Sequence, residues 1–264
     1  MANDMLTEVF GDQGVSPLPV AVRSGDLVRG FRIVGTDPDT GVFGDGIDAQ
    51  LRFAHEHMRR SIESAGGSRA NIAHVSMYFQ DFARDREAMN PPWVDAFPDE
   101  NDRPTYKFLT ADLPGDMLVY MDYFAVLGHS RQTLSVEGVA HTNPIPLGVR
   151  MGPYLFSSRV LPYDPTTGRP PEDVQSQAEH LFRNTEALLR TGGMDWSNVK
   201  QGRAFVADPA NLPLVTDRWT QLYPDAATRP VLHHLRYGGG ALQVMIEVLA
   251  SIDEETRTRG LADG

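Results

Sequence analysis

The chain has 264 residues, which at roughly 150 residues per domain allows one large domain or two small ones, each with its own core. Its 24 Lys and Arg against 35 Asp and Glu give a formal net charge of -11, a field that repels phosphate backbones and anionic lipid. With no cysteine, a disulfide scaffold, a thiolate metal site and a cysteine nucleophile are all excluded.

The elements follow in chain order. Asn3, Asp4, Glu8 and Asp12 interrupt the only apolar residues before Val15, so no secretory leader is expected. Val20 to Arg23 and Leu27 to Val34 are expected as strands around a turn at Ser24-Gly25-Asp26. Asp37-Pro38-Asp39-Thr40-Gly41 is a second turn. Leu51, Ala54, Met58, Ile62 and Ala65 recur at three- and four-residue spacing, which predicts an amphipathic helix closed by Gly66-Gly67. Ile72 to Phe79 is a strand by its β-branched and aromatic content; a short helix follows, then strands over Thr105 to Thr110 and Leu118 to Val126. The most apolar stretch, Tyr123 to Leu127, is far too short to span a bilayer, so neither membrane nor nucleic acid is an expected partner and a cytoplasmic location follows by default.

The same order then recurs. Gly25 pairs with Gly152, Asp37-Pro38 with Asp164-Pro165, Gln50 with Gln177, Gly66 with Gly193, Asn71 with Asn198 and Asp81 with Asp208, all at an offset of 127. Arg103-Pro104 pairs with Arg229-Pro230 at 126, and Val119, Asp122 and Ala125 pair with Val244, Glu247 and Ala250 at 125. A repeat of this length is a duplicated domain rather than a solenoid unit. The expected organisation is therefore a first domain over residues 1–127, a linker over 128–142 and a second domain over 143–264. In the second domain a helix over Val174, Gln177, Ala178, Leu181, Thr185 and Leu188 ends at Gly192-Gly193. Strands are expected over Val199 to Val206, Val231 to Tyr237 and Leu242 to Leu249, the last two joined by a hairpin at Gly238-Gly239-Gly240. The order ββαβαββ predicts an α+β fold, a mixed sheet with two helices on one face, and hence a second sheet face that association must cover.

Arg150-Met151-Gly152-Pro153-Tyr154-Leu155-Phe156-Ser157-Ser158, Asp164-Pro165-Thr166-Thr167-Gly168, the Gly-Gly helix end and Thr228-Arg229-Pro230 together resemble the Rid (YjgF) family of reactive-intermediate deaminases. The first half shows the same frame in Asp37-Pro38-Asp39-Thr40-Gly41, Ala88-Met89-Asn90 and Arg103-Pro104-Thr105. The resemblance implies two tandem chorismate-mutase-like domains and assembly as a homo-oligomer, a trimer above all. It also implies hydrolysis of amino-acid-derived enamines and imines without metal or organic cofactor. It makes Arg229 the grip on a substrate carboxylate, a role suited to a planar guanidinium, and places Ser158 at the cleft. Where the family carries an acid on the last strand this chain has Met245, and Tyr120 in the first half; Glu247, two residues on and on the same face, is the candidate acid-base group. Phe31 stands in the place of Ser158 in the first half, so the first site is expected to be degenerate, with Arg103 a second binding candidate; near the start of the second domain Ile145 stands in the place of a family tyrosine.

Each candidate has a plainer alternative. Arg229 could pair with Asp225, Ser158 could bond backbone, and Glu247 could be a structural carboxylate. Asn90 before Pro91-Pro92 suits a helix cap or turn. His233 and His234 point to opposite faces of a strand and cannot share one metal, though His233, four residues from Arg229, can line the cleft. His55 and His57, two apart on a helix, are no chelating pair, and Met58-Arg59-Arg60 is a solvated helix face. The leading expectation is a deaminase for a small carboxylated enamine or imine, an aminomuconate-like ring-cleavage product among them. The rivals are a non-catalytic carboxylate-binding or regulatory protein and a hydrolase of chorismate-like ring acids.

Overall fold

The computed structural model describes the backbone of residues 7–9 and the whole of residues 20–237 and 240–252. The rest of the stretch before Val15 that was read for a leader, and the Gly238-Gly239 part of the expected hairpin, lie outside the described residues. The chain divides into two compact units: Met1–Arg131 with Asn143–Ile145, and Gln132–Thr142 with Pro146–Gly264.

The first unit runs β1 (Thr7–Val9), β2 (Ala21–Ser24), β3 (Leu27–Val34), α1 (Gly46–Ser64), β4 (Ile72–Phe79), α2 (Phe82–Asp85), α3 (Asn90–Ala96), β5 (Thr105–Thr110) and β6 (Val119–Val126). The second runs β7 (Gln132–Leu134), β8 (Gly148–Met151), β9 (Tyr154–Ser157), α4 (Val174–Thr191), β10 (Val199–Val206), α5 (Leu212–Leu222), β11 (Val231–Arg236) and β12 (Val244–Ser251). The sheets have one topology, β1-β2-β3-β6-β4-β5 and β7-β8-β9-β12-β10-β11. Both are mixed: β4–β5 and β10–β11 are parallel, and the other pairs antiparallel. Each sheet thus has a strand more than the expected order provided. The extra strand in the second sheet, β7, falls within the stretch 128–142 expected to be linker and pairs with β8.

The hairpins form where glycine admits positive φ: Gly25 and Gly152 both sit at φ 56° between their strands. The apolar stripe of α1, Leu51, Ala54, Met58 and Ile62, packs against Val75, Met77 and Phe79 of β4 and Met121, Tyr123 and Ala125 of β6. In the second unit a Cβ on Gly202 would stand 2.6 Å from Cη2 of Trp219 on α5, so Gly202, Ala204 and Val206 face the helices. Trp93 and Trp219 fill matching places in the two cores, and truncating either to alanine is expected to cost about 3–5 kcal/mol.

Three polar clamps are also made twice. Nε2 of Gln50 donates to the carbonyls of Gly44 and Asp116 while its Oε1 accepts from the amide of Leu118. Gln177 does the same with Pro171, Ala241 and Gln243. Arg23 donates to the carbonyls of Gly25 and Ala65, and Arg150 to those of Gly152 and Gly192. The third clamp involves two candidate site residues.

Candidate functional site

Arg229 lines a groove of about 470 Å³ with Tyr223, Lys200 and Val231 at one end of the second sheet. Its Nε donates to the carbonyl of Tyr223 at 2.7 Å and one Nη to that of Pro224 at 3.2 Å. Tyr223 is the residue that ends α5, so the guanidinium satisfies carbonyls that the helix terminus leaves without partners. Arg103 makes the same bonds in the first unit, to Phe97 at 2.9 Å and Pro98 at 3.2 Å, at the end of α3. Asp225 bonds the amide of Ala227 and the hydroxyl of Thr228.

The other candidates meet on the sheet face opposite the helices. Register pairs Arg203 of β10 with His233 of β11 on one side and with Glu247 of β12 on the other, so the three side chains form a row across the sheet. Nη1 of Arg203 reaches Oε2 of Glu247 at 3.3 Å, with side chains 24% and 8% exposed. Arg159, just beyond β9, lies buried with its Cζ 4.3 Å from the centre of the Phe205 ring and 4.8 Å from that of Tyr237. Burial lowers the pKa of Arg159, and the charge of Glu247 opposes that shift. The backbone amide of Val160 donates to the carbonyl of Ile246 and ties this segment to β12.

Ser158 is fully buried. Its backbone amide and its Oγ both lie 2.9 Å from the carbonyl of Leu147, and Oγ is 2.6 Å from Nε2 of His141. Burial, reinforced by the charge of Arg159, holds His141 down at about 4, so its imidazole is neutral at pH 7. His141 lies in the stretch expected to be linker, and neither it, Arg159 nor Arg203 was among the sequence candidates. Arg203 sits in Val199-Lys200-Gln201-Gly202-Arg203-Ala204-Phe205-Val206, where alternation does put it on the face away from the apolar core. The signal for its neighbours lies in the strand order, which puts β10 between β11 and β12.

The first unit carries a different row at the same register: Lys107 of β5, Ser76 of β4 and Asp122 of β6. Lys107 and Ser76 are buried. Burial raises the pKa of Asp122, opposed by bonds from Tyr120 and Tyr78 and by the charges of Arg29 and Lys107. Phe31 takes the place of Ser158, its backbone amide bonding the carbonyl of Val20 as Ser158 bonds Leu147. Arg32, at the place of Arg159, has φ 61°, and its amide donates to the hydroxyl of Tyr120.

Asn90 opens α3 and accepts from the hydroxyl of Tyr106 at 2.9 Å. His55 is buried beside Trp93 and Phe97 and pushed down to about 3 by desolvation, while His57 reaches the carbonyl of Thr36 at 2.8 Å. Arg59 and Arg60 form ion pairs with Glu56 on the outer face of α1.

Both units are α+β layers with helices on one side of a mixed sheet, and among the described residues no helix is long and apolar enough to cross a membrane. Residues 140–250 match the family model described as Endoribonuclease L-PSP. A 2-iminobutanoate/2-iminopropanoate deaminase of Salmonella typhimurium is 31% identical over 78 residues, 29% of this chain and 61% of that protein, so the match spans less than two-thirds of the relative. A RutC family protein of Pasteurella multocida is 26% identical over 96 residues, 33% of this chain and 73% of its own. The solved structure of RidA from a Psychrobacter species aligns at 22% identity and TM-score 0.42, over 46% of this chain and 99% of that one. Over residues 140–250 the second unit is thus similar to this family and to the imine deaminase named above.

Proposed function

We propose that the second unit is a deaminase for a small carboxylated enamine or imine, using neither metal nor organic cofactor. The observation that carries this reading is the row of His233, Arg203 and Glu247, which puts a proton-transfer group, a cation and an acid side by side within the matched segment. The names of the relatives point to the same chemistry. An enamine first tautomerises to the imine. Water then adds across the C=N bond, its oxygen to carbon and a proton to nitrogen. The carbinolamine transfers its hydroxyl proton to nitrogen, the C–N bond breaks, and ammonia leaves a keto acid. In this reading Glu247 orients the water and moves its proton. His233 assists at nitrogen, and Ser158 with His141 holds the segment that leads to Arg159. Such imines hydrolyse unaided, so positioning supplies much of what is needed. Unsaturated amino-dicarboxylates from ring cleavage fall within the proposed substrate class.

The matching strand orders and an offset that stays between 125 and 127 support descent of the two units by tandem duplication. Val231 and Leu235, 58% and 37% exposed on the face of β11, support a homo-oligomer, with a trimer the form to look for by light scattering.

A second reading, a carboxylate-binding protein without chemistry, is favoured by the commitment of Arg229 to the end of α5 and by Met245 in the place of an acid. Ammonia release from imino acids generated in situ separates the two. The deaminase reading expects release above the spontaneous rate, lost in Glu247→Gln. No release from any carboxylated imine, with carboxylate binding intact, establishes the second reading.

A further inference from the structure

We propose that Arg203, and not Arg229, grips the ligand's carboxylate, and that Arg159 takes over Glu247 when Arg203 turns to the ligand. This rests on the reading that the second unit binds a small carboxylate, but not on its catalysing a reaction. Arg229 and Arg103 make the same pair of bonds to the ends of equivalent helices, which marks those bonds as part of the frame. Arg203 has no such twin, because Ser76 holds its place in the first unit.

Arg203 is also the more accessible of the two arginines beside Glu247. Its side chain is 24% exposed, and among the described residues the acid it meets is Glu247, through a single 3.3 Å contact rather than a two-pronged one. A carboxylate arriving from solvent can offer the planar fork two parallel acceptors. Such an exchange would strand a buried acid unless a second cation stood behind it. Arg159 is that cation: it is buried, braced on Phe205 and Tyr237, and within electrostatic range of both Glu247 and Arg203. Arg159 and Arg203 set two cations beside Glu247, in a chain of net charge -11. The ligand class is a small carboxylate that docks one carboxyl group on Arg203, a 2-imino acid or the 2-keto acid it yields.

The test is calorimetric titration of the full chain with pyruvate, a keto acid that needs no turnover. Arg203→Gln is expected to weaken binding at least tenfold, and Arg203→Lys, which keeps the charge facing Glu247, by several-fold through loss of the fork. Glu247→Gln is expected to tighten binding several-fold, because the internal competitor for Arg203 is gone. Arg229→Gln is expected to stay within about twofold of wild type, with thermal unfolding confirming that each variant is folded. Unchanged binding in folded Arg203→Gln, or a tenfold loss in Arg229→Gln, overturns the assignment. Weaker binding in Glu247→Gln overturns the exchange, and absence of pyruvate binding in the wild type overturns the site. Ammonia release is scored separately, so a chain that binds pyruvate through Arg203 yet releases no ammonia refutes the deaminase reading and leaves this one standing.

Discussion

The rows Lys107–Ser76–Asp122 and His233–Arg203–Glu247 occupy the same register of the same sheet topology, yet share no residue type. The clamps made by Gln50 and Gln177, Arg23 and Arg150, and Arg103 and Arg229 repeat nearly bond for bond. The contrast makes each unit a control for the other. A side chain that keeps its identity and its partners in both units serves the frame, and one that changes while the frame stays put is free to serve a ligand. On this ground we infer that Arg229 belongs with the frame and Arg203 with the site.

The largest expected effect tests the frame. Gln50→Leu and Gln177→Leu each leave two carbonyls and an amide without their partner, at a cost of about 3 kcal/mol by denaturant unfolding. Equal losses in the two variants sharpen the comparison, and a loss confined to one breaks it. Arg103→Met and Arg229→Met are next, with about 1–2 kcal/mol each from the uncapped helix ends. A stability loss at Arg103 alone would return Arg229 to the list of ligand residues.

A smaller effect depends on pH. His55 is held neutral down to about 3 in the folded chain, whereas in the unfolded chain it takes up a proton near its ordinary 6.5. Below 6.5 the unfolded state therefore binds more protons, and stability falls with decreasing pH until the folded value is reached, by ~1.4 kcal/mol per unit for this group. Phe182 stands at the equivalent place on α4, so His55→Phe is expected to flatten that acid limb without unfolding the core. An unchanged slope in unfolding curves between pH 6.5 and 4 would remove His55 as its source. The smallest effect is expected at Asp122, whose pKa burial raises; its contribution to stability falls as pH rises above the ordinary carboxylate value. Stability of Asp122→Asn relative to wild type should therefore improve as pH climbs from about 4, and the opposite trend would mean that Lys107 and Arg29 dominate its surroundings.

Much of this frame is legible in the residues themselves. Leu27 to Val34, Ile72 to Phe79, Thr105 to Thr110 and Val199 to Val206 have as strands the bounds their composition predicts, because β-branched and aromatic residues stop at turn formers. Gln132-Thr133-Leu134 has no such run, and it becomes β7 only because β8 offers a free edge. The row was harder to see for a related reason. His233, Arg203 and Glu247 are far apart in the chain, and only the insertion of β10 between β11 and β12 brings them together, a pairing that alternation within one strand cannot announce. Arg229 differs in another way: an arginine before proline at a strand start looks poised for a ligand, while the carbonyls it bonds carry no side-chain signature. The parallel runs Phe97-Pro98-Asp99 and Tyr223-Pro224-Asp225, each leading to its arginine, were the available hint.

The strand order also bears on how the chain is made. Among the described residues, the last strand of each unit to be translated, β6 or β12, lies in the interior of its sheet, with β3 and β4, or β9 and β10, on its two sides. A nascent unit that has left the ribosome as far as β5 or β11 thus holds two half-sheets with no middle, each displaying open edges and an apolar face. Completion waits for the connection and the strand beyond it, Ala111 to Val126 in the first unit, so co-translational folding of each half should come as a single late event, with the earlier chain depending on chaperones until then.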